Sequence, residues 1–278
     1  MKEINTTYLS LDRAEERGFL HRDYIAHCFR WSHIIKFLQK NKTYENANIL
    51  DLGCGKEVPL LKTMYTMKMS PKSYIGLDYT NINISNVLTS ATKKCEVCKL
   101  ESNYDISEDV NNYINENYSI IISFEVIEHM SPQKLLKLLN KMSKKLNNKA
   151  DIFISTPNFD GKAATNHINE MTQEFLSDLF VSFGFEIYEK FGTFASQSDY
   201  LEILKNDGYE NLFNKLNKYY DSNIISIIFA PLYPEKSRNV IWHLKHYQND
   251  FDINLVKEVI KKHANNQQNK EEWRKIYE

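Results

Sequence analysis

The chain has 278 residues, 42% of them hydrophobic, and a formal net charge of −1. This length suits one globular domain with added segments, and the near-neutral charge argues against a surface that wraps duplex DNA, which would be strongly basic. The sequence contains neither an apolar run near the roughly 18 residues of a membrane span nor the apolar core of a signal peptide. Its four cysteines are too scattered for a disulfide framework. We therefore expect a cytoplasmic protein without a membrane partner.

Apolar and aromatic residues recur at helical spacing over residues 12–40, with an interruption at Gly18, which predicts helical structure before the first strand. Short apolar runs then alternate with helical patterns. The predicted strands are ANILDLG, SYIGLDYT, CEVCKL, YSIIISFEVIEHM, ADIFISTPN, FEIYEKFG and NVIWHLKHY. The predicted helices between them are VPLLKTMYTMK, NISNVLTSATKK, SPQKLLKLLNKMSKKL and TQEFLSDLFVSFG. This alternation predicts a doubly wound α/β sheet of seven strands.

The pattern divides the chain into three regions. Residues 1–44 form an N-terminal helical segment, and residues 45–250 carry the sheet, with an insertion at about 196–237 between the last two strands. Residues 251–278 form a charged, helical-looking tail, which we interpret as a solvated helix or a partly disordered end.

A glycine turn follows the first predicted strand in the stretch NILDLGCGKEVPLL. Its spacing does not match a phosphate-binding P-loop, and Val58 stands where a dinucleotide fingerprint has its third glycine. Asp78 ends the next strand, at the distance where an acid binds ribose hydroxyls. The pattern therefore favours a nucleoside cofactor with a free 2′-hydroxyl over a bare phosphate.

The stretches ILDLGCGK, YIGLDYT, IIISFEVIEHM and DIFISTPN resemble, in this order, the class I S-adenosylmethionine-dependent methyltransferases over roughly residues 45–192. The resemblance implies a Rossmann-like fold, an N-terminal helical lid, and methyl transfer to oxygen or nitrogen of a small-molecule or nucleotide-like acceptor. The implied contacts with S-adenosyl-L-methionine are Asp51, Gly53, Cys54 and Gly55 at the methionine end, Asp78 at the ribose, Tyr79 beside the adenine, Glu101 (or its rival Asp105) at the adenine amine, and Ser123 and Phe124 near the methyl group.

The helical segment before the first strand often lines the acceptor pocket in this superfamily. Tyr24, His27 and Trp31 occupy related helical positions, so one face is aromatic and polar together. These three residues are candidate substrate contacts, although a packed helix with a few surface histidines would show the same pattern.

A cluster of acids and histidines follows the fourth and fifth strands. Glu125, Glu128 and His129 fall within one turn of chain, where Glu125 and His129 would be i,i+4 neighbours in a helix, and His167 comes just past the fifth strand. Both loops open at the carboxyl edge of a doubly wound sheet, where these four side chains could hold a divalent metal such as Mg²⁺, Mn²⁺ or Fe²⁺. The set partly resembles the small-RNA 3′-terminal 2′-O-methyltransferases, in which a Glu-x-x-Glu-His motif and a later histidine hold a metal. In the metal-free interpretation, Glu128 and His129 orient the loop and His167 is a general base or polar support.

Three functions therefore stay open at the level of sequence. They are a general methyltransferase, a metal-dependent 2′-O-methyltransferase of an RNA end, and a catalytically idle protein that binds the cofactor as a subunit or scaffold. The stretch SFEVIEH does not fit the motif of DNA amino-methyltransferases, so duplex DNA is not an expected partner. The sequence specifies neither the acceptor nor the oligomeric state.

Overall fold

The fold was examined in a computed structural model. The structure describes residues 22–41, 44–106, 113–115, 117–146, 150–195, 197–246 and 251–278, and within these ranges it leaves out the side chains of residues 22–24, 27, 41, 195 and 197–200. None of the helices in this part of the chain is long and apolar enough to cross a membrane.

Seven strands form a single mixed sheet. They are β1 (Asn48–Leu52), β2 (Ser73–Leu77), β3 (Val97–Glu101), β4 (Ile120–Phe124), β5 (Asp151–Pro157), β6 (Phe185–Ala195) and β7 (Ser237–His246). Their order across the sheet is β3-β2-β1-β4-β5-β7-β6, with the first five parallel and β7 antiparallel to both of its neighbours. The predicted doubly wound, Rossmann-like sheet is confirmed.

Ten α-helices accompany the sheet in the described ranges. They are α1 (Arg22–Asn41), α2 (Pro59–Thr66), α3 (Asn86–Thr92), α4 (Pro132–Lys145), α5 (Gln173–Ser182), α6 (Gln197–Asn206), α7 (Glu210–Leu216), α8 (Ser222–Phe229), α9 (Ile253–His263) and α10 (Lys270–Tyr277). Four of them begin at a residue whose side chain accepts a backbone N–H of the first turn, and these caps are Ser85, Thr172, Asp221 and Asp252.

The sheet has a hydrophobic layer on each face. Successive residues of a strand point to opposite faces, so Ile121 of β4 packs in the layer with α4, α5, α9 and α10, whereas Ile120 and Ile122 pack in the layer with α1, α2 and α3. Burial on both faces explains why the central parallel strands are near-continuous apolar runs in the sequence. This arrangement fixes the carboxyl ends of β1, β4 and β5 at one edge.

The insertion lies where the sequence places it. Between β6 and β7 the chain forms α6, α7 and α8, which enclose a small hydrophobic cluster that includes Leu204, Phe213, Ile225 and Phe229. The chain then returns through β7, which inserts between β5 and β6. The N-terminal helix packs against β6 and α8. The domain boundaries stay a prediction.

The interpretation of the C-terminal tail as a solvated or partly disordered end is wrong. Val256, Ile260 and Trp273 are fully buried or nearly so in the core shared with α4 and α5. The ring of Trp273 meets that of Phe175 edge-on at 4.8 Å between centroids. The segment is rich in charged residues, but Val256 and Ile260, one helical turn apart on α9, and Trp273 on α10 pack on the domain.

Candidate active site at the carboxyl edge of the sheet

The glycine turn follows β1 at the point where the strand order reverses between β1 and β4. Gly53 and Gly55 have φ values of 79° and 77°, in the left-handed region that favours glycine. The N–H groups of Gly53 and Cys54 both donate to the carbonyl of Leu77, at 2.8 and 3.1 Å. A Cβ at Gly53 would lie 2.3 Å from Cγ2 of Val126, so only glycine lets this turn approach the turn after β4.

Val58 adopts a glycine-like conformation at the position of the missing third glycine. It precedes α2 with a φ of 45°, is fully buried, and donates its N–H to the carbonyl of Gly55 at 3.1 Å. This conformation is sterically unfavourable for a β-branched residue, so the fold holds it there against local strain. The turn thus keeps its shape without the third glycine.

Asp78, the predicted ribose ligand, is fixed beside this turn at the end of β2. The N–H of Gly55 donates to its Oδ2 at 2.7 Å, while the N–H and hydroxyl of Thr80 donate to Oδ1 at 2.9 and 2.6 Å. These three hydrogen bonds use three of the roughly four acceptor positions of a carboxylate. The Asp78 carboxylate can therefore still accept a hydrogen bond from a ligand hydroxyl. Its orientation is set before any ligand binds.

Asp51 lies buried beneath the turn. The hydroxyl of Tyr74 donates to its Oδ2. Burial raises the pKa of the Asp51 carboxyl to about 7, the charge of Asp78 adds to the rise, and the hydrogen bond from Tyr74 opposes it. Burial likewise raises the pKa of the neighbouring Cys54 thiol, which therefore stays protonated at neutral pH.

The residues predicted for the adenine side surround the ends of β2 and β3. Tyr79 is 48% exposed. Oε1 of Glu101 accepts from the hydroxyl of Tyr113 at 2.9 Å and lies 2.7 Å from Nζ of Lys99, whereas Asp105 is 3.7 Å from the Lys134 ammonium. Both acids thus have a cationic neighbour, and the choice between them stays open. At the end of β4, Ser123 is buried and Phe124 is half-buried.

Glu125 does not join the other predicted metal ligands. Its backbone is left-handed, with a φ of 56°, and the chain continues into a 3-10 turn at Ile127–His129, so Glu125 and His129 are not helical neighbours. Ser155 donates to Oε1 of Glu125 at 2.8 Å and Asn239 to Oε2 at 2.7 Å. A guanidinium nitrogen of Arg30 lies 3.4 Å from the same Oε2. These contacts tie the carboxylate to β5, β7 and α1, so the predicted set of four ligands is not assembled.

Three of the four predicted residues do converge. Glu128, His129 and His167 each present one potential ligand atom, and these atoms lie within 4.8 Å of one another. Glu128 is fully buried; its Oε2 accepts from the hydroxyl of Thr156 at 3.0 Å, and its Oε1 has no hydrogen-bond partner among the described residues. Burial raises the pKa of the Glu128 carboxyl well above its ordinary range, and the neighbouring charge of Glu125 raises it further. A buried acceptor oxygen without a partner is costly and points to a missing ligand.

Both imidazoles of this group are oriented through Nδ1. His129 Nδ1 lies 3.2 Å from the carbonyl oxygen of Asn166, to which it must donate, and His167 Nδ1 lies 2.5 Å from Oε1 of Glu170. Burial lowers the pKa of His129 to about 4, and His167 beside it contributes, so His129 is neutral. The rings meet edge-on at 4.9 Å. Each ring therefore keeps Nε2 as its available nitrogen, which is the arrangement of metal-binding histidines held by a carbonyl or carboxylate.

Arg238 and Glu170 support His167 from outside this group. A guanidinium nitrogen of Arg238 lies 2.8 Å from Oε2 and 3.1 Å from Oε1 of the buried Glu170, and the N–H of Ala164 donates to Oε1 at 3.1 Å. Sequence reasoning missed the supporting residues from β5 and β7, namely Ser155, Thr156, Arg238 and Asn239. They belong to no local motif, and only their places at strand ends mark them.

The predicted acceptor residues on α1 stay untested. The side chains of Tyr24 and His27 lie outside the described part of the structure, and Trp31 is half-buried against the core. Among the α1 side chains that the structure describes, Arg30 reaches the site; it is 3% exposed and contacts Glu125.

Comparison with known proteins agrees with this geometry. A family model described as a methyltransferase domain matches residues 23–212. The structure is similar to that of 1,6-didemethyltoxoflavin-N1-methyltransferase from Burkholderia thailandensis, with 13% identity, 85% of each chain covered and a TM-score of 0.51. It is also similar to magnesium protoporphyrin IX methyltransferase from Synechocystis PCC 6803, with 10% identity, 81% of this chain and 85% of that chain covered, and a TM-score of 0.50.

A third similarity is weaker. The methyltransferase domain of bacterial CtHen1-C has 16% identity, covers 78% of this chain and 96% of its own, and gives a TM-score of 0.44, which is too low to bear on function. No curated protein matches the sequence. At these identities the solved structures show a shared fold, and the family match covers most of the chain. The chain therefore belongs to the methyltransferase-domain family.

Proposed function

We propose that the protein transfers the methyl group of S-adenosylmethionine to a hydroxyl oxygen of a small or nucleotide-like acceptor, and that Glu128, His129 and His167 hold a divalent metal beside that oxygen. Two observations on the described residues carry the proposal: Glu128, His129 and His167 each present one potential ligand atom within 4.8 Å of the others, and Oε1 of the buried Glu128 has no hydrogen-bond partner there. The location supports it, because the group follows the carboxyl ends of β4 and β5, where doubly wound sheets bind their ligands.

The cofactor would lie across the glycine turn. Gly53 and Gly55 allow its methionine end to approach the backbone closely, and Asp78 would accept a hydrogen bond from a ribose hydroxyl at the acceptor position that Gly55 and Thr80 leave free. Asp51 lies beneath the methionine end, where its carboxylate would complement the ammonium group. The cofactor supplies a methyl group on a sulfonium, so transfer is an in-line displacement in which the protein chiefly aligns and desolvates the reactants.

The donor set fits a transition-metal ion. One carboxylate and two imidazoles favour Mn²⁺ or Fe²⁺ over Mg²⁺, which prefers oxygen ligands. The Nδ1 contacts with Asn166 and Glu170 already orient both rings through their other nitrogen. A divalent cation bound there would supply Lewis acidity toward an acceptor hydroxyl.

The residues around Glu125 and Glu128 would position the groups that take part in the reaction. An O–CH₃ bond forms as the S–CH₃ bond breaks, S-adenosylhomocysteine leaves with the electron pair on its sulfur, and the acceptor hydroxyl loses its proton to solvent water. Arg30, Ser155 and Asn239 hold Glu125, and with it the turn that presents Glu128 and His129. Thr156 donates to Oε2 of Glu128, which leaves Oε1 as the oxygen without a partner among the described residues.

A metal-free mechanism is the second candidate, and one contact favours it. The pair of His167 and Glu170, at 2.5 Å, has the geometry of a general base oriented by a carboxylate. In that case His167 Nε2 would take the acceptor proton. The 2′-hydroxyl of an RNA end is a specialised acceptor within the metal-dependent proposal, and its test is the identity of the methylated product. A catalytically idle, cofactor-binding subunit would have no use for the oriented imidazoles.

Titration of the purified protein with Mn²⁺ tests the proposal directly. We expect one site by calorimetry, and we expect H129Q and H167Q each to weaken binding by about 100-fold or more, because each removes one of three ligands. E186Q is the control, since Glu186 is an exposed carboxylate on β6. Unchanged Mn²⁺ affinity in both histidine variants would overturn the metal site and leave His167 as the candidate base.

A further inference from the structure

The loop that carries His167 is held on its far side by the C-terminal segment. This segment, Gln267 to Trp273, lies outside the range matched by the family model and is about 100 residues away in sequence. Its contacts with residues 167–172 are hydrogen bonds from buried or half-buried groups. They reach the backbone of the two residues that form the imidazole–carboxylate pair.

Gln268 makes the central contacts. Its Nε2 donates to the carbonyl of His167 at 2.8 Å, and its Oε1 accepts the N–H of Glu170 at 2.6 Å. Its own backbone N–H donates to the carbonyl of Glu170 at 3.2 Å. One side chain therefore bridges the two residues whose spacing sets the 2.5 Å contact between Nδ1 and Oε1.

Two neighbouring residues extend the contact along the loop. Gln267 accepts the N–H of Thr172 at 2.8 Å, and the indole N–H of Trp273 donates to Oδ1 of Asn169 at 2.8 Å. Trp273 and Asn169 are both fully buried, so this hydrogen bond is shielded from water.

The opposite side of the loop contacts the turn after β4. The N–H groups of Ile168 and Asn169 donate to the backbone carbonyl of Glu128 at 3.1 and 3.0 Å. The loop thus lies between Glu128, on the metal side, and Gln268, on the tail side. The position of His167 relative to Glu128 and His129 depends on both contacts.

We propose that Gln268 is a positioning residue, through which the C-terminal segment sets the placement of His167 and Glu170 in the active site. The inference rests on the proposed function, because it assigns Gln268 to the site that includes His167. Residues that orient metal-binding histidines typically change metal affinity by about 10–100-fold when they are replaced. Gln268 contacts the backbone of His167 and Glu170 and not the imidazole itself. We therefore expect its replacement to change the metal affinity by about 10-fold, the lower end of this range.

The test compares Q268M with Q133M. Methionine keeps the length of glutamine but can make neither side-chain contact with the loop. Gln133 Nε2 also donates to the tail, at 3.1 Å to Oε2 of Glu272, but it does not contact the loop. We expect Q268M to weaken Mn²⁺ binding about 10-fold and to change the visible spectrum of the Co²⁺-loaded protein, with the affinity for S-adenosylmethionine unchanged. Q133M should match the wild type in all three measurements.

Q268E and W273F guard against a variant that fails to fold. Q268E keeps an acceptor for the Glu170 N–H but places an oxygen against the His167 carbonyl. W273F removes the indole donor to Asn169 together with part of the buried ring. Wild-type Mn²⁺ affinity and Co²⁺ spectra in Q268M and Q268E, while H167Q loses binding, would overturn the role of Gln268 and leave the metal site intact. Unchanged binding in H167Q itself would instead overturn the proposed function.

Discussion

Replacing Gly53 by alanine should cost more stability than the same change at Gly55, although both glycines have nearly the same φ. An L-residue in the left-handed region costs about 1–2 kcal/mol, and both variants incur that cost. At Gly55 the nearest atom to a new Cβ is Cδ of Pro59 at 3.8 Å, an ordinary contact. At Gly53 the new Cβ would lie 2.3 Å from Cγ2 of Val126, which adds an overpacking cost of about 1–3 kcal/mol.

We therefore expect a loss in the free energy of unfolding of roughly 2–5 kcal/mol for G53A and roughly 1–2 kcal/mol for G55A. Urea denaturation followed by tryptophan fluorescence measures both. The affinity for S-adenosylmethionine should fall further in G53A, because Val126 lies in the turn that leads to Glu128.

A double-mutant cycle isolates the clash. V126A removes the one methyl group within 3 Å of the new Cβ, since Cβ and Cγ1 of Val126 lie at 3.6 and 3.8 Å. The cycle should show a favourable coupling of about 1–3 kcal/mol between G53A and V126A, and no coupling between G55A and V126A. Equal losses in the two glycine variants, or no recovery in the double variant, would refute the close approach of the two turns.

Three further predictions follow from other parts of the structure. D78A should weaken binding of S-adenosylmethionine by about 10–100-fold in calorimetry, because it removes the acceptor for the ribose hydroxyls and the partner of the Gly55 N–H; unchanged affinity would contradict the ribose assignment. The pKa of Asp51 is raised from 3.8 to about 7, so this carboxyl is mostly neutral below pH 7 and charged above it. The affinity for S-adenosylmethionine should therefore rise between pH 6 and 8, and D51N should remove that rise. An equal rise of affinity with pH in D51N would disprove the placement of Asp51 at the methionine end. The same shift favours folding below pH 4, and this contribution is lost as the pH rises through 7. W273A should lower the free energy of unfolding by about 3–5 kcal/mol, as expected for a buried aromatic side chain, and a loss below about 1 kcal/mol would return the tail to a surface segment.

The sheet could be predicted because its parallel strands are buried on both faces. ILDL and IIIS are largely apolar runs followed by the candidate functional groups, and the alternation of strands with helices predicts a doubly wound α/β sheet. The spacing of Asp78 from the glycine turn predicts that the two lie together, and the structure places Asp78 Oδ2 2.7 Å from the backbone nitrogen of Gly55, while its role as a ribose ligand stays a prediction. These features depend on neighbours in sequence or on adjacent strands.

Glu125 could not be placed correctly from sequence. The expected i,i+4 relation with His129 assumes a helical turn, whereas the chain is left-handed at Glu125 and then forms a 3-10 turn. No residue type in FEVIEHM predicts a left-handed backbone at Glu125. The side chain turns toward Ser155, Asn239 and Arg30, which come from distant parts of the chain.

The C-terminal tail carries an apolar pattern that indicates packing, although its charged composition favours a solvated helix. Val256 and Ile260 have helical i,i+4 spacing, and Trp273 continues the apolar face on the next helix. The charged composition favoured a solvated helix. Hydrogen bonds such as that between Gln268 and Glu170, 98 residues apart, have no local pattern and need the three-dimensional structure.

The most direct test of the proposed function is transfer of label from methyl-labelled S-adenosylmethionine into fractionated cell extract, after chelation and again after addition of Mn²⁺. We expect label in an RNA or small-metabolite fraction, on a hydroxyl oxygen, lost on chelation, restored by Mn²⁺ and absent with H167Q. Full labelling in the presence of chelator would contradict the metal site. No label in any fraction, from protein that binds the cofactor, would contradict catalysis and indicate an idle subunit.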